Sequence, residues 1–359
     1  MGRPRAAAKG DLYYMINIGF IGAGGIARER HLPNLAKIDG VKVVAVANRS
    51  LESGRKIAGE YGIPEVLGDW RELLGRKDID AIFIGTWPYM HKEMSIAALD
   101  AGKHVFCQAR MAMDLAEAKA MVAAAKAHPK QVNMICPPPQ RMPFEPYIKQ
   151  LIASGELGTI TAIELYAVGG ANLNPNTITW RERREYSGNQ ILAMGIYAET
   201  LNAWFGPYED LSARLATPLA TKMDGGKPYS IQVPQVVTIT GKLKNGALIF
   251  EHHTGLAADK SSTGGRLTVW GTAGTLRYTF SNTIELAKFG QPLTPVNVPD
   301  ALKRDWHVEE DFIVAVCNAQ QGKPWQVSPD FVESLLYMQK VEAVHVSAAT
   351  GKAVQLGDL

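Results

Sequence analysis

The sequence predicts an α/β protein: a Rossmann domain with a doubly wound parallel sheet, followed by an α+β domain with a mostly antiparallel, open-faced sheet. A glycine-rich turn joins an apolar strand to a helix-compatible segment near the start of the chain. Strand and helix patterns then alternate through the first third. Later segments show period-two alternation with hairpin signals. We place the two domains at 15–138 and 139–359, and the C-terminal helices can pack back on the first.

Length and composition narrow the class of protein. The chain has 359 residues, 46% of them hydrophobic and 20% charged, which suits two soluble domains. A net charge of +3, without a lysine- or arginine-rich run beyond the N-terminal tip, argues against a nucleic-acid partner. No window approaches 18 uninterrupted apolar residues, so we expect no membrane partner. Residues 1–14 are interpreted as a disordered or cloning-derived tail, with Met15 a natural start.

The three cysteines indicate neither a disulfide framework nor a metal site. Cys107, Cys136 and Cys317 are an odd, widely spaced set without a CxxC pair. This pattern fits a reducing compartment, so we expect a cytoplasmic protein. His252 and His253 are adjacent on a strand-like run and should point to opposite faces, so they cannot face one metal together. We predict no metal site.

Each predicted element of the first domain follows from a local pattern. Apolar strands are expected at 17–22 and 41–47, and further strands at 81–85, 103–107 and 132–136. Segments with helical spacing separate them, which is the order of a parallel sheet. The Pro137–Pro139 run cannot continue a central strand and marks the exit from this domain.

The second domain changes pattern. We predict helices over 144–154 and 189–205 and near 307–320 and 329–347, and a strand over 161–169. Hairpins are expected at Asn245-Gly246 and around 271–274. These signals indicate a mostly antiparallel sheet, one face of which is free to pair with another subunit.

The glycine-rich turn predicts a dinucleotide site. Gly22 permits the tight turn, Gly24 lets the backbone approach a pyrophosphate, and the small Ala27 allows close packing of helix on strand. Gly25 and Ile26 complete the turn, where helix amides face the phosphates. We therefore expect NAD or NADP to bind here.

The residues that follow the second strand bear on whether NAD or NADP binds. NAD binding favours an acidic side chain there, whereas NADP needs that charge removed and a cation supplied. Asn48 is neutral and Arg49 follows it, which favours NADP(H). NAD(H) stays open, because asparagine can also hydrogen-bond a ribose 2′-hydroxyl.

Several segments together resemble the glucose-fructose oxidoreductase, inositol dehydrogenase and MocA (Gfo/Idh/MocA) family. The resemblance covers essentially the whole chain from Met15 and includes the segments 19–35, 101–107, 155–158, 180–181, 195–197 and 350–356. It implies hydride exchange between nicotinamide and a sugar, polyol or related diol. It also implies a homodimer or homotetramer formed through the C-terminal sheet.

The chain departs from this family at its catalytic positions. The family's Glu-Lys-Pro after the fourth predicted strand is replaced by Gln108-Ala109-Arg110, and its Asp and His on a later helix by Ala193 and Tyr197. Since some members place a tyrosine where others have histidine, Tyr197 is the candidate acid/base. The alternative for Tyr197 is a core tyrosine with a satisfied hydroxyl.

A tyrosine acid/base needs electrostatic help. An ordinary tyrosine has a pKa of about 10, so its deprotonation at pH 7 costs about 4 kcal/mol. Arg110 can stabilise a tyrosinate or alkoxide in place of the missing lysine, although it cannot itself exchange a proton. We assign Arg110 to both catalysis and substrate binding, and Gln108 to the cofactor.

The remaining candidates line the two ligands. The resemblance places Thr86, Trp87 and His91 beside the ribose and nicotinamide, with structural roles as the alternative for Trp87 and His91. Trp180 and Arg181 are candidates for substrate binding. With Arg110, Arg181 could form a fork for a carboxylate, which admits an anionic substrate.

Three functions follow from these residues. The first is NAD(P)-dependent oxidation or reduction of a secondary hydroxyl or ketone in a sugar, polyol, cyclic diol or related acidic substrate. The second is nicotinamide-dependent glycoside cleavage by transient oxidation and elimination. The third is a non-catalytic ligand sensor, which the loss of familiar catalytic groups would suggest.

Overall fold

The structure is a computed structural model that describes residues 15–141, 143–260 and 263–359, without the side chain of residue 140. The tail predicted for residues 1–14 lies outside the described residues. Contacts divide the chain into two units. The first unit contains the chain up to Met111, with Lys119–Cys136 and His307–Val332, and the second contains Ala112–Ala118, Pro137–Trp306 and Glu333–Leu359. The predicted domain boundary between residues 138 and 139 stays a prediction.

A six-stranded parallel sheet forms the first unit, as predicted. The strands lie in the order β3-β2-β1-β4-β5-β6. They are β1 Ile16–Ile21, β2 Val41–Ala47, β3 Glu65–Leu67, β4 Ala81–Ile84, β5 His104–Cys107 and β6 Asn133–Ile135. The edge strand β3 was not predicted, because three residues are too few to show a period.

The strand order reverses between β1 and β4, which positions the site. Ile21 at the end of β1 pairs with Ile84 at the end of β4. Both strands are almost wholly buried, as expected for a sheet covered on both faces. Because the connections leave β1 and β4 in opposite directions, their carboxyl ends border the crevice where such sheets bind ligands.

The helices are described as they run along the chain. A π-helical turn, Ala27–His31, leads directly into the first α-helix. The α-helices are α1 Leu32–Leu35, α2 Leu51–Tyr61, α3 Arg71–Gly75, α4 His91–Asp100, α5 Leu115–Ala127, α6 Glu145–Ser154, α7 Arg184–Ser187, α8 Met194–Phe205, α9 Val308–Gln320 and α10 Phe331–Thr350. None of the helices in the described part of the chain is both long and apolar enough to cross a membrane.

The second unit is built on a nine-stranded mixed sheet, which confirms the predicted fold class. Its order is β16-β15-β14-β13-β7-β12-β11-β8-β17, and only β7 and β12 pair in parallel. A separate ribbon pairs β9 with β10. The strands are β7 Ile160–Val168, β8 Tyr208–Ala216, β9 Thr221–Asp224, β10 Lys227–Ser230, β11 Val236–Leu243, β12 Leu248–Thr254, β13 Gly264–Gly271, β14 Gly274–Thr279, β15 Thr283–Lys288, β16 Thr294–Pro295 and β17 Val354–Gln355.

One face of this sheet is buried and the other is open. Along β12, Glu251 and His253 are buried, whereas Leu248 and Phe250, which precede them on the other face, are 50% and 46% exposed. Leu248 and Trp270 pair with Ala162 on β7 from opposite sides, so the three residues form a row across the open face. The open face therefore carries large apolar side chains beside the Arg266–Glu164 ion pair.

The helix predicted over 189–205 is shorter than expected. It begins at Met194 because Leu192 has a φ of 48° and Gly188 a φ of 62°, which right-handed helix cannot accommodate. Gly188 is required there, since an added Cβ would lie 2.2 Å from the Met113 carbonyl oxygen. The non-helical segment 189–193 therefore precedes the helix that carries Tyr197.

Candidate functional site

The turn after β1 can accommodate a phosphate against its backbone. Gly22 has a φ of 72°, and an added Cβ would lie 2.6 Å from Thr86 Cγ2 and 2.9 Å from the Thr86 nitrogen. A Cβ on Gly25 would meet nothing within 4 Å, and one on Gly24 only the Gly22 oxygen at 3.9 Å. Packing thus requires glycine at position 22 alone, and the space beside the other two fits a close approach by a pyrophosphate.

Asn48 serves this turn directly. Its side-chain oxygen accepts a hydrogen bond from the Ala23 nitrogen at 2.8 Å, and its amide donates to the Ala23 oxygen at 3.3 Å. The Asn48 side-chain oxygen can accept one more hydrogen bond, and its NH2 group can donate one more. Arg49 is exposed and forms no ion pair or hydrogen bond with any residue that the structure describes. A cation without a carboxylate therefore follows the strand at the position that distinguishes NADP from NAD.

His91 joins two loops at the carboxyl edge of the parallel sheet. It is fully buried, with Nδ1 2.7 Å from the Arg110 carbonyl oxygen and Nε2 3.0 Å from the Thr86 carbonyl oxygen. Both ring nitrogens are thus engaged by backbone, and the side chain holds the loops after β4 and β5 together. Trp87, in the first of these loops, is half-buried.

Gln108 and Arg110 begin the loop after β5. The Gln108 side-chain oxygen accepts from the Ala109 nitrogen at 3.1 Å, and its amide nitrogen contacts His31 Nε2. Arg110 is only 3% exposed, so it is not a surface arginine. The candidates Gly22, Thr86, His91 and Arg110 therefore form one connected group at the ends of β1, β4 and β5.

Tyr197 lies one turn into α8. Its ring stacks on Phe280 with centroids 5.1 Å apart, and the His253 ring lies 5.9 Å away on β12. Its hydroxyl makes no hydrogen bond with a described residue, which disfavours a core tyrosine with a satisfied hydroxyl. Burial raises the pKa of Tyr197, so the phenol is the favoured form at neutral pH. The Tyr197 nitrogen bonds to the Ala193 oxygen at 3.1 Å, one turn earlier as expected.

A buried charge cluster supports His253. Its Nε2 donates to Glu251 at 2.8 Å, and the Lys340 ammonium lies 2.5 and 2.7 Å from the two Glu251 oxygens. The Tyr208 hydroxyl also donates to this carboxylate. Burial acts to raise the pKa of Glu251, but Lys340 and His253 together outweigh it and the pKa is lowered. Burial lowers the pKa of His253, so a neutral imidazole faces Tyr197.

The Trp180–Glu182 turn presents one arginine without an acidic partner. The Arg181 guanidinium lies 4.5 Å from the Trp180 ring and bonds to no other described side chain. Its neighbour Glu182 closes a capping box on Thr179 and pairs with the buried Lys222 at 2.7 Å. The buried Glu182 therefore holds the turn in place, while Arg181 is exposed. Among described contacts, Tyr197 touches neither Trp180 nor Arg181.

Sequence reasoning missed several residues that shape both sites. Glu251 and Lys340 are 89 positions apart, and the His31–Glu309 pair spans 278 positions. No local pattern links such residues, and isolated acidic and basic side chains are usually exposed. Among the described residues, no group of three or more His, Cys, Asp or Glu side chains could hold a metal ion.

Comparison with known proteins agrees with this fold. Residues 16–135 match the profile of an oxidoreductase family with an NAD-binding Rossmann fold, and residues 147–277 match the GFO/IDH/MocA C-terminal domain. The chain is 34% identical over 145 residues to the 4-carboxy-2-hydroxymuconate-6-semialdehyde dehydrogenase of a Sphingobium strain, covering 40% of this chain and 44% of that protein. It is 32% identical over 188 residues to the 1,5-anhydro-D-fructose reductase of Ensifer adhaerens, covering 51% and 54%.

Solved structures show the same fold at lower identity. A levoglucosan dehydrogenase in complex with NADH and levoglucosan superposes with a TM-score of 0.86 at 21% identity, covering 95% of this chain and 99% of that one. The chain spans about half the length of the curated relatives it matches. The two family profiles nevertheless cover both units of the chain. The chain therefore belongs to the Gfo/Idh/MocA family of oxidoreductases.

Proposed function

We propose that this protein is an NAD(P)-dependent oxidoreductase that acts on a secondary hydroxyl, or the corresponding ketone, of a sugar, polyol, cyclic diol or related acidic substrate. The observation that carries the proposal is the Tyr197 hydroxyl. The ring is fixed against Phe280, yet the hydroxyl bonds to no described residue. A fixed proton donor with an unused hydroxyl is what general acid catalysis at a carbonyl or alcohol oxygen requires.

The nucleotide residues supply binding and orientation. The turn from Gly22 to Ala27, including Gly24, Gly25 and Ile26, is assigned to the pyrophosphate, and the loop with Thr86 and Trp87 to the ribose and nicotinamide. His91 would hold that loop in place rather than touch the ligand, because both its ring nitrogens already meet backbone oxygens. When bound, the cofactor accepts or supplies the hydride.

Tyr197 would donate a proton to the substrate oxygen in reduction and accept it in oxidation. In reduction, the neutral phenol donates its proton to the developing alkoxide, and the raised pKa of Tyr197 keeps it protonated. In oxidation it must first lose that proton, at a cost of about 4 kcal/mol at pH 7 for an ordinary tyrosine. We assign Arg110 to the stabilisation of the resulting negative charge, the role that the family gives to a lysine.

The decisive experiment is Tyr197→Phe assayed with NADPH or NADP and a panel of ketoses, polyols and sugar acids. We expect kcat to fall by about 100-fold or more, since a positioned acid/base contributes that much. Tyr147→Phe is the matched control, because Tyr147 in the same unit likewise bonds to no described residue through its hydroxyl. Unchanged turnover in Tyr197→Phe would remove Tyr197 from the mechanism.

The same assay separates the two alternative functions. Release of a product from a glycoside without net change in NADH or NADPH absorbance would indicate cleavage by transient oxidation and elimination. The replaced lysine, aspartate and histidine positions, occupied by Ala109, Ala193 and Tyr197, keep that reaction open. Absence of hydride transfer with every substrate, together with retained ligand binding, would indicate a sensor.

For the cofactor we propose NADP(H) over NAD(H). Arg49 supplies a cation without a described carboxylate partner, and Asn48 contributes no negative charge to repel a 2′-phosphate. We expect NADPH to bind at least tenfold more tightly than NADH, because charge-assisted hydrogen bonds contribute about 1.5–3 kcal/mol. Fluorescence titration of both reduced cofactors measures this, and tighter binding of NADH would reverse the assignment.

We further propose that two copies associate through the open sheet face, as a homodimer or as half of a homotetramer. Leu248, Phe250 and Trp270 lie together on that face and are more exposed than a monomer usually leaves large apolar groups. Phe250→Asp should halve the mass measured by light scattering. Val314→Asp, at an exposed position of α9, is the control, and a monomeric wild type would contradict the proposal.

The compartment also remains a proposal. We propose a cytoplasmic location, because the three buried cysteines form no disulfide with one another, as is usual in a reducing compartment.

A further inference from the structure

A buried hydrogen-bond network connects the dinucleotide turn to the loop after β5. His31 ends the π-helical turn that follows the glycines and is 1% exposed. Its Nδ1 lies 2.5 Å from Glu309 Oε1 on α9, whose side chain is also 1% exposed. Asn34 on α1 donates to the second Glu309 oxygen at 3.3 Å. The helical segment that begins at the dinucleotide turn is thus joined to α9 through one carboxylate.

The other side of His31 holds Gln108. The Ala109 backbone N–H must meet an oxygen, so the Gln108 side-chain oxygen faces Ala109 and its amide nitrogen faces His31. An amide nitrogen only donates and a carboxylate only accepts. His31 must therefore carry its proton on Nδ1, toward Glu309, and accept at Nε2 from Gln108.

The surroundings of His31 are otherwise aromatic. The Phe106 ring lies 5.3 Å from the imidazole and the Phe83 ring 6.3 Å, and Phe312 of α9 packs against both phenyl rings. Glu309 is the charged group that bonds to the imidazole. In such an apolar environment, each polar atom that loses its partner has a large cost.

We propose that His31 and Glu309 are positioning residues that fix the Gln108 amide, and through it the start of the loop that carries Arg110, relative to the dinucleotide turn. This inference rests on the proposed function, in which both segments hold the nicotinamide cofactor. It also explains why glutamine replaces the family's glutamate at position 108. A carboxylate there would require a second proton on His31, at Nε2, and would place the imidazole between two buried carboxylates.

Glu309 accepts from His31 at one oxygen and from Asn34 at the other, and an amide in its place would turn one of these oxygens into a donating NH2 group. The network therefore requires one amide and one carboxylate on opposite sides of His31, which a double-mutant cycle can test. Gln108→Glu leaves two carboxylates and Glu309→Gln leaves two amides, whereas the double variant restores one of each with the proton moved to Nε2. We expect each single variant to weaken NADPH binding about tenfold, the effect of one lost buried hydrogen bond, and the double variant to recover most of that loss. Glu310→Gln, an exposed neighbour on α9, is the control for removing a charge.

Nitrogen NMR of the histidines reads the network without any substrate. In the wild type, the resonance lost in His31→Gln should report a neutral ring protonated on Nδ1, and in the double variant one protonated on Nε2. A wild-type His31 protonated on Nε2 or on both nitrogens, or losses of NADPH affinity that simply add in the double variant, would overturn the inference. Since neither measurement uses turnover, failure here is distinguishable from failure of the Tyr197 assignment.

Discussion

The two units of this protein satisfy several of their buried basic side chains in different ways. In the first, the Lys103 ammonium donates to the carbonyl oxygens of Arg76 and Ile79, and His91 bonds to two further backbone carbonyls. In the second, buried cations meet buried carboxylates in three separate clusters, centred on Arg141, Lys222 and Lys340.

This difference shows how the nucleotide-site candidates of the first unit and Tyr197 of the second are held. In the first unit, these backbone partners belong to neighbouring loops, and the His31–Glu309 pair adds a contact to a residue distant in sequence. The clusters of the second unit join elements far apart in sequence, and one of them supports the histidine that packs on Tyr197. Each cluster keeps its geometry only while every charge retains its partner.

The largest expected effect comes from breaking the cluster behind Tyr197. Lys340→Met leaves the Glu251 carboxylate buried without its cation, and removal of one partner of such a pair costs about 4 kcal/mol. We expect the free energy of unfolding, measured by urea denaturation, to fall by that amount. The double variant Lys340→Met/Glu251→Gln removes both charges and should recover at least half of the loss. Equal losses in the two variants would show that the pair's charge is not what holds this core together.

The next largest effect is expected from a change in the dinucleotide turn of the first unit. Gly22→Ala places a Cβ 2.6 Å from Thr86 and forces alanine into a left-handed conformation, which together cost about 3 kcal/mol. We expect a lower melting temperature and loss of NADPH binding. Gly25→Ala is the matched variant, because its Cβ would meet nothing within 4 Å. It should keep the wild-type melting temperature yet bind NADPH more weakly, and unchanged binding would place the pyrophosphate elsewhere.

The Arg141 cluster predicts an unusual pH dependence of stability. Arg141 lies between Glu145 and Glu199, and burial raises the pKa of Glu199 to about 7, with Arg141 acting in the opposite direction. The folded protein therefore holds a proton that the unfolded chain releases between the ordinary value of 4.5 and about 7. By linkage, this contribution to the free energy of unfolding is complete below the unfolded pKa and is lost as pH rises through the folded one.

In full, that contribution is about 3 kcal/mol, most of which should be lost between pH 5 and pH 8. Urea denaturation of the wild type at pH 5 and pH 8 measures it, with Glu199→Gln as the comparison because glutamine cannot ionise. The difference in stability between wild type and variant should shift by about 2 kcal/mol in favour of the variant as pH rises. A difference that stays constant with pH would mean that Glu199 is ionised throughout.

The same contrast explains what the sequence could predict. The dinucleotide turn and the strand before it are contiguous, and their chemistry is carried by glycines whose conformational demands can be identified locally. The Asn245-Gly246 hairpin and the open face of the second sheet were predicted for the same reason. Leu192 adopts a positive φ that no local pattern indicates, so the start of α8 was misplaced by five residues.

The residues that support Tyr197 could not be predicted from local sequence patterns. Glu251, His253 and Lys340 become one cluster only after β12 and α10 have packed, and nothing in their own neighbourhoods distinguishes them from exposed side chains. Tyr197 was found because the family resemblance indicated its position, but its stacking on Phe280 was not.

The smallest effect concerns the one arginine of the Trp180–Arg184 segment that lacks a partner. Arg183 pairs with Asp224 and Arg184 bonds to Asn189, so among the described contacts Arg181 alone has only the Trp180 ring. A guanidinium held over an aromatic ring offers its N–H edge to an incoming carboxylate.

We therefore expect Arg181→Gln to raise KM about tenfold for sugar acids while leaving KM for neutral polyols within twofold, because one charge-assisted hydrogen bond is lost. Arg184→Gln is the matched control, since it removes a charge from the same segment but one already bonded to Asn189. Equal changes for acidic and neutral substrates would mean that Arg181 shapes the turn rather than recognises an anion. A change confined to acidic substrates would show that, in this unit, the buried ion pairs stabilise the structure, whereas Arg181 binds the substrate's carboxylate.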